Sequence, residues 1–255
     1  MTCSCCGAHW TVQHSRYCAR CVLIAAEADA KGAISSGADE APPCELLSIM
    51  GDSPRAMTFL GEQTWPVRRL VALKVLKDAR LQHMSAFAPP PLPRHPGIAP
   101  VLETGRLGGR PYVTTAYLAG GTLPTCYDRH RLGAGARMRA LAGVAEALAV
   151  AHAKGSVHGR LAASNLLCEP RSPFAVRIVD FDVAPAPSGD AEFDMLARAD
   201  LAGIVRVAED LLRSPIACVP ASVALAGELN RIASAHRAAD LCRAMEDLAA
   251  RLSSH

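Results

Sequence analysis

What this chain lacks narrows it first. No apolar run approaches the roughly 18 residues that a bilayer-spanning helix needs. The most apolar stretch, LAGVAEALAVAHA, is broken by Glu146 and His152 and reads as an amphipathic helix. The N-terminus, MTCSCC, carries no basic-then-apolar leader pattern, so the expected location is the cytoplasm, with no membrane partner. Aromatic residues are scarce, at 4%, and the net charge is only +3 over 255 residues. There is no dense Lys/Arg block and no basic–aromatic stripe, so nucleic acid is not an expected partner. What is abundant is apolar chain, half of all residues. That suffices for one large domain or two small ones with a real core.

The cysteines fall into two groups. Cys44, Cys126, Cys168, Cys218 and Cys242 are far apart. In a reducing compartment they read as small buried apolar residues rather than disulfide partners. The other five lie within the first 21 residues, in CSCCGAHWTVQHSRYCARC. Cys3-x-x-Cys6 and Cys18-x-x-Cys21 pair thiolates at the spacing that lets two on one tight turn grip the same ion. Two such pairs supply the tetrahedral set of a structural zinc site. Gly7 follows the first pair, where a knuckle turn often needs positive φ. This module, residues 1–24, resembles a zinc ribbon. Cys5, His9 and His14 can each replace one ligand. So short a module has almost no core, and the metal would supply most of its folding energy. Its expected role is contact with a partner or with the rest of the chain. The following segment, residues 25–44, turns into KGAISSGADEAPP, a small, polar, Pro/Gly-rich linker.

Beyond it the pattern changes. LVALKVL (70–76) and PYVTTAYL (111–118) read as strands, and so does AVRIVDFDVA (175–184). Residues 137–154 carry apolar positions at helical spacing and stop at Gly155, and 200–213 form a second apolar helix. Two more helices are expected at about 221–235 and 237–253. Strands first and helices later is an α+β order.

These residues carry a resemblance. From about 46 to 252 the chain resembles a protein kinase domain of the bacterial Ser/Thr type. LLSIMGDSPRAMTFLGEQ stands where that family has its first two strands and glycine-rich loop. VALKVL is similar to its VAIK strand, and HPGIAPVLETG to the next strand and its lead-in. YVTTAYLAGGTL is similar to the hinge, HGRLAASN to HRDLKPSN and VDFD to VDFG. RADLAGIVRVAEDLL resembles the long central helix, with Asp200 at its start. The resemblance implies a two-lobed fold, with a small mainly β lobe over 45–118 and a trimmed helical lobe over 119–255. It also implies nucleotide contacts from Gly51, Ala72, Lys74, Thr115, Asn165 and Asp180, with Asn165 and Asp180 holding magnesium.

Set against that chemistry, the polar groups are depleted. Only Gly51 survives of the phosphate cradle, where Pro54 offers no N–H and Asp52 adds negative charge. No glutamate lies between Lys74 and His95 to support the lysine, and the PPPLP run cannot continue a helix. Asp182 replaces the small glycine after the metal-holding aspartate. Arg160 occupies the place of the catalytic aspartate, and a permanently charged guanidinium cannot take a proton. Ala162 replaces the lysine that steadies the transferred phosphate. Loss of a positioned base alone typically costs a factor of about 10² to 10⁴. Only nineteen residues separate Asp180 from Asp200, with no peptide-docking element among them and Ser188 as the sole hydroxyl. His158 reads as a packing residue under the loop. The expected protein is therefore a pseudokinase that works by binding a signalling partner, with no catalytic residue of its own. The alternative is an active or atypical Ser/Thr kinase, a phosphoryl or nucleotidyl transferase using ATP and magnesium through Lys74, Asn165 and Asp180.

Overall fold

A computed structural model describes residues 44–64, 66–77, 92–107, 110–169, 172–181, 187–217, 227, 232 and 237–253. The expected zinc module with Cys3, Cys6, Cys18 and Cys21, the linker up to residue 43 and the segment 78–91 lie outside the described residues. So does Asp182. The chain forms two compact units, and their elements follow the expected α+β order.

The first unit is a five-stranded antiparallel sheet: β1 (Glu45–Asp52), β2 (Ala56–Gln63), β3 (Arg69–Leu76), β4 (Val101–Leu107) and β5 (Arg110–Ala116). The spatial order is β1-β2-β3-β5-β4. Alternation sorts the strands into faces. Phe59 pairs with Leu73 and Met57 with Val75, and β5 continues the same face through Thr114 and Tyr112. Phe59, Val71, Leu73, Val75 and Tyr112 form the apolar cluster of this unit, with Cys44 and Leu107. Register shifts after Leu46 and after Ile49 bulge the edge strand β1. They leave Leu47 and Met50 exposed, and such irregularity discourages pairing with another chain.

The second unit takes up residues 92–99 and the chain from Leu118 onward. Its elements are α1 (Leu123–Arg129), α2 (Ala134–Ala153), a 3₁₀ turn at Ala163–Asn165, the hairpin β6 (Leu166–Glu169) and β7 (Ser172–Ile178), α3 (Asp190–Arg213), a second 3₁₀ turn at Pro215–Ala217 and α4 (Ala238–Ser253). Helix α2 is rich in alanine and buried on most sides: Leu141, Ala145, Ala147, Leu148 and Ala151 have no exposed surface. Small side chains let it pack closely as the centre of the unit. A buried Arg137 on α2 donates to Asp128 (2.7 Å) and to the Leu132 carbonyl (2.7 Å), tying α2 to α1.

Several bounds differ from those the pattern suggests. The second helix begins at Asp190, not Asp200, so Asp200 lies mid-helix. Gly189 precedes its first turn, Ser188 donates from both its backbone N–H and its hydroxyl to Glu192, and Asp190 and Glu192 suit the positive helix end. β7 ends at Ile178 rather than running to residue 184, because Asp180 takes φ = 70°, which no strand accepts. The expected helix over 221–235 lies, apart from Gly227 and Ile232, outside the described residues. Helix α1 and strand β6 are too short for periodicity to reveal. Among the described residues no helix is long and apolar enough to cross a membrane.

Candidate functional site

In the first unit, register places the expected nucleotide residues on one sheet face. Gly51 pairs with Thr58, and Thr58 pairs with Lys74. One row along, Ala72 pairs with Thr115. Directly opposed residues share a face, and so do residues two apart on a strand. Gly51, Ala72, Lys74 and Thr115 thus meet on the face opposite Phe59 and Leu73. Glu103 is on the other face, in register with Thr114, and accepts bonds from Gln63 (3.4 Å) and Tyr112 (3.3 Å). It is not a replacement for the glutamate missing beside Lys74.

The β1–β2 turn closes on itself. Ser53 N–H donates to the Ala56 carbonyl (3.0 Å), and the Ser53 hydroxyl accepts from the Arg55 (3.4 Å) and Ala56 (3.1 Å) amides. Pro54 has no N–H. The backbone donors that would face a phosphate are committed within the turn. Asp52 forms an ion pair with Lys77, so its negative charge is locally offset. Arg55 is exposed.

In the second unit, the loop 158–165 is held from beneath by Asp200, whose side chain is fully buried. One carboxylate oxygen accepts from Gly159 N–H (2.7 Å). The other accepts from His158 N–H (2.9 Å) and from His152 Nε2 (3.0 Å). A carboxylate can be buried when its lone pairs are filled in this way. Gly203, one turn along α3, lies so close to the loop that an added Cβ would stand 2.5 Å from the Leu161 carbonyl oxygen. Gly159 has φ = 73°, a conformation glycine adopts freely.

His158 is buried and fully engaged. Its Nδ1 accepts from Arg160 N–H (3.2 Å) and its Nε2–H donates to the Val179 carbonyl (2.9 Å), which fixes the neutral Nε2–H tautomer. Burial pushes its pKa below the usual histidine value, outweighing the opposing pull of Asp200. Its ring meets that of Phe181 edge-on at 5.1 Å. The packing role expected for His158 is the one these contacts describe.

Asn165 sits at the end of the loop. Its amide donates to the Arg160 carbonyl (3.2 Å), and its own carbonyl accepts from Val179 N–H (2.9 Å). The backbone of Asn165 is thereby tied to the residue that precedes Asp180. The side-chain carbonyl of Asn165 accepts from Ser164 (3.2 Å). Asp180 holds a left-handed φ, an unfavourable state for a residue with a Cβ. Arg160 and Ala162 are exposed. Between His158 and Leu167 there is no carboxylate, and Asp200 has none of its oxygens unoccupied. Among the described residues no group of three His, Cys, Asp or Glu side chains is arranged to hold a metal ion.

The residues that sequence reasoning passed over are His152 and Asp200 as the anchor. The signal available was an aspartate that opens the apolar half of the helix, followed three residues later by the glycine that allows the loop to approach. No family model matches this chain, and no curated protein matches it.

Proposed function

We propose, first as a class, that this is a binding domain of phosphotransferase-like architecture whose transfer chemistry is missing. More narrowly, it is a protein kinase-like domain of the pseudokinase kind, with a zinc-ribbon-like N-terminal module, acting as a scaffold for a protein partner in signalling. The observation that carries the reading is Arg160. It stands exposed on a loop braced at His158, Gly159 and Asn165, with no carboxylate from 158 to 167. A braced loop is what positions a base, and a guanidinium cannot be one. The self-closed turn at 53–56 supports the same reading from the other unit, since a phosphate cradle needs free backbone donors.

The test is incubation of the purified full chain with labelled ATP and magnesium. No turnover and no labelled peptide are expected. Steady ATP consumption that survives Arg160→Ala and disappears in Asp180→Ala would overturn the reading.

A second reading concerns nucleotide without catalysis, and the common face of Gly51, Ala72, Lys74 and Thr115 favours it. In it, ATP is a structural ligand and not a substrate.

A further inference from the structure

The second unit holds a cavity of about 500 Å³ to whose lining no residue of the loop 158–165 contributes. Its volume falls within the ~300–1,000 Å³ of small-molecule sites. It opens where the C-terminal end of α2, the first half of α3 and the start of α4 meet. Ala149, Phe193 and Leu201 contribute an apolar wall. Its charged lining is mostly positive: Arg198 and Arg237 both line it, against a single acid, Asp194. Both arginines are exposed, and neither side chain forms an ion pair among the described residues.

Arg237 is also the residue from which α4 starts. Its carbonyl accepts from Asp240 and Leu241 N–H (each 3.1 Å), so the amides of Ala238 and Ala239 precede the first intrahelical bond. Both alanines line the cavity. The positive end of a sixteen-residue helix therefore adds to two guanidinium groups over a methyl-lined space. His152 closes the wall with its ring edge-on to Phe193 (6.0 Å), and its Nε2 is committed to Asp200.

We propose that this cavity binds a small organic monocarboxylate with an apolar body. The guanidinium forks match a carboxylate's two oxygens. The alanine, leucine and phenylalanine surface matches a hydrocarbon, and Asp194 disfavours a second negative charge. The site does not depend on the scaffold reading. It lies one hydrogen bond from the anchor of the loop, because the Asp200 carboxylate that receives His152 also receives His158 and Gly159.

The experiment is a melting-curve and calorimetric titration of the full chain with butyrate, hexanoate and phenylacetate. Phenylacetamide serves as the neutral isostere and inorganic phosphate as the bare anion. A saturable rise in melting temperature is expected with at least one carboxylate, strongest for the more apolar ones. Phenylacetamide and phosphate should give none. Arg198→Gln with Arg237→Gln, two exposed changes that leave the core intact, should weaken binding at least about tenfold, since the charge-assisted hydrogen bonds to the carboxylate are lost. The proposal is overturned if no carboxylate binds, if phenylacetamide or phosphate stabilises equally, or if the double variant binds as before.

Discussion

His158 shows how much a single buried side chain can be asked to do. It carries the backbone of Arg160 on one nitrogen and the Val179 carbonyl on the other, and packs on Phe181. The bond at Nδ1, an acceptor, needs the neutral ring, since in the charged ring both nitrogens are donors. Its pKa is lowered in the folded chain, chiefly by burial, while Asp200 and Asp180 oppose that shift and Arg160 reinforces it. In the unfolded chain it titrates near the ordinary value of about 6.5. As pH falls through that value the unfolded state takes up a proton that the folded state refuses. The stabilising contribution is therefore present above about pH 6.5 and is lost as pH falls toward the lower folded pKa. Urea unfolding between pH 8 and 5 should show this loss, and His158→Gln should have a flatter dependence over the same range. An identical slope in the variant would remove His158 as the cause. Arg160 is exposed while His158, two positions earlier in the same loop, is buried and holds its backbone.

Among the elements, α1 and α2 are joined by an unequal ion pair. Arg137 is fully buried, whereas the Asp128 side chain is 45% exposed. The guanidinium holds the Asp128 carboxyl below its usual range, through their hydrogen bond first of all. The two partners should therefore differ when removed. Asp128→Ala strands a buried cation that only the Leu132 and Leu211 carbonyls still meet, a loss held to about 1–3 kcal/mol because the acid side of the pair is half exposed. Arg137→Met takes the buried charge away with it and leaves Asp128 half exposed and still bonded to the Ser214 hydroxyl (3.1 Å), so it should cost clearly less. Denaturant titration of both variants decides the order, and equal losses would contradict this account. Sequence pattern located α2 and β3 well, because long periodicity and an apolar strand core are strong signals. It missed α1 and β6, at seven and four residues, because so few positions do not make a period. It began α3 ten residues late, since the first half of that helix, DAEFDMLARA, is half polar and covers no large core surface.

At the scale of the whole molecule, chain order and compact units do not coincide. Residues 92–99 join the second unit, although strands β4 and β5 of the first unit follow them. Ile98 pairs in parallel with Ile178, and Ala99 N–H donates to the Ile178 carbonyl (2.9 Å). Ile98 is 2% exposed and belongs to the apolar cluster of α2 and α3. Ile98→Ala should then cost about 2–5 kcal/mol and speed amide exchange in α2 and β7, with β2 and β3 little changed. Loss of protection in the sheet alone would contradict that assignment.

By itself, the sequence determined the order of strands and helices, the apolar positions of β3, β5, α2 and α3, and the absence of a base at position 160. Each of these is a local property: periodicity, side-chain volume or the identity of one residue. Only tertiary structure decided that Asp200 anchors the loop, that the turn at 53–56 uses its own amides, and that Arg198 and Arg237 border one cavity. The turn depends on which local backbone conformation the chain settles into, and the other two on residues tens of positions apart being brought together. Such meetings are set by how helices and strands pack, which no short window of sequence contains.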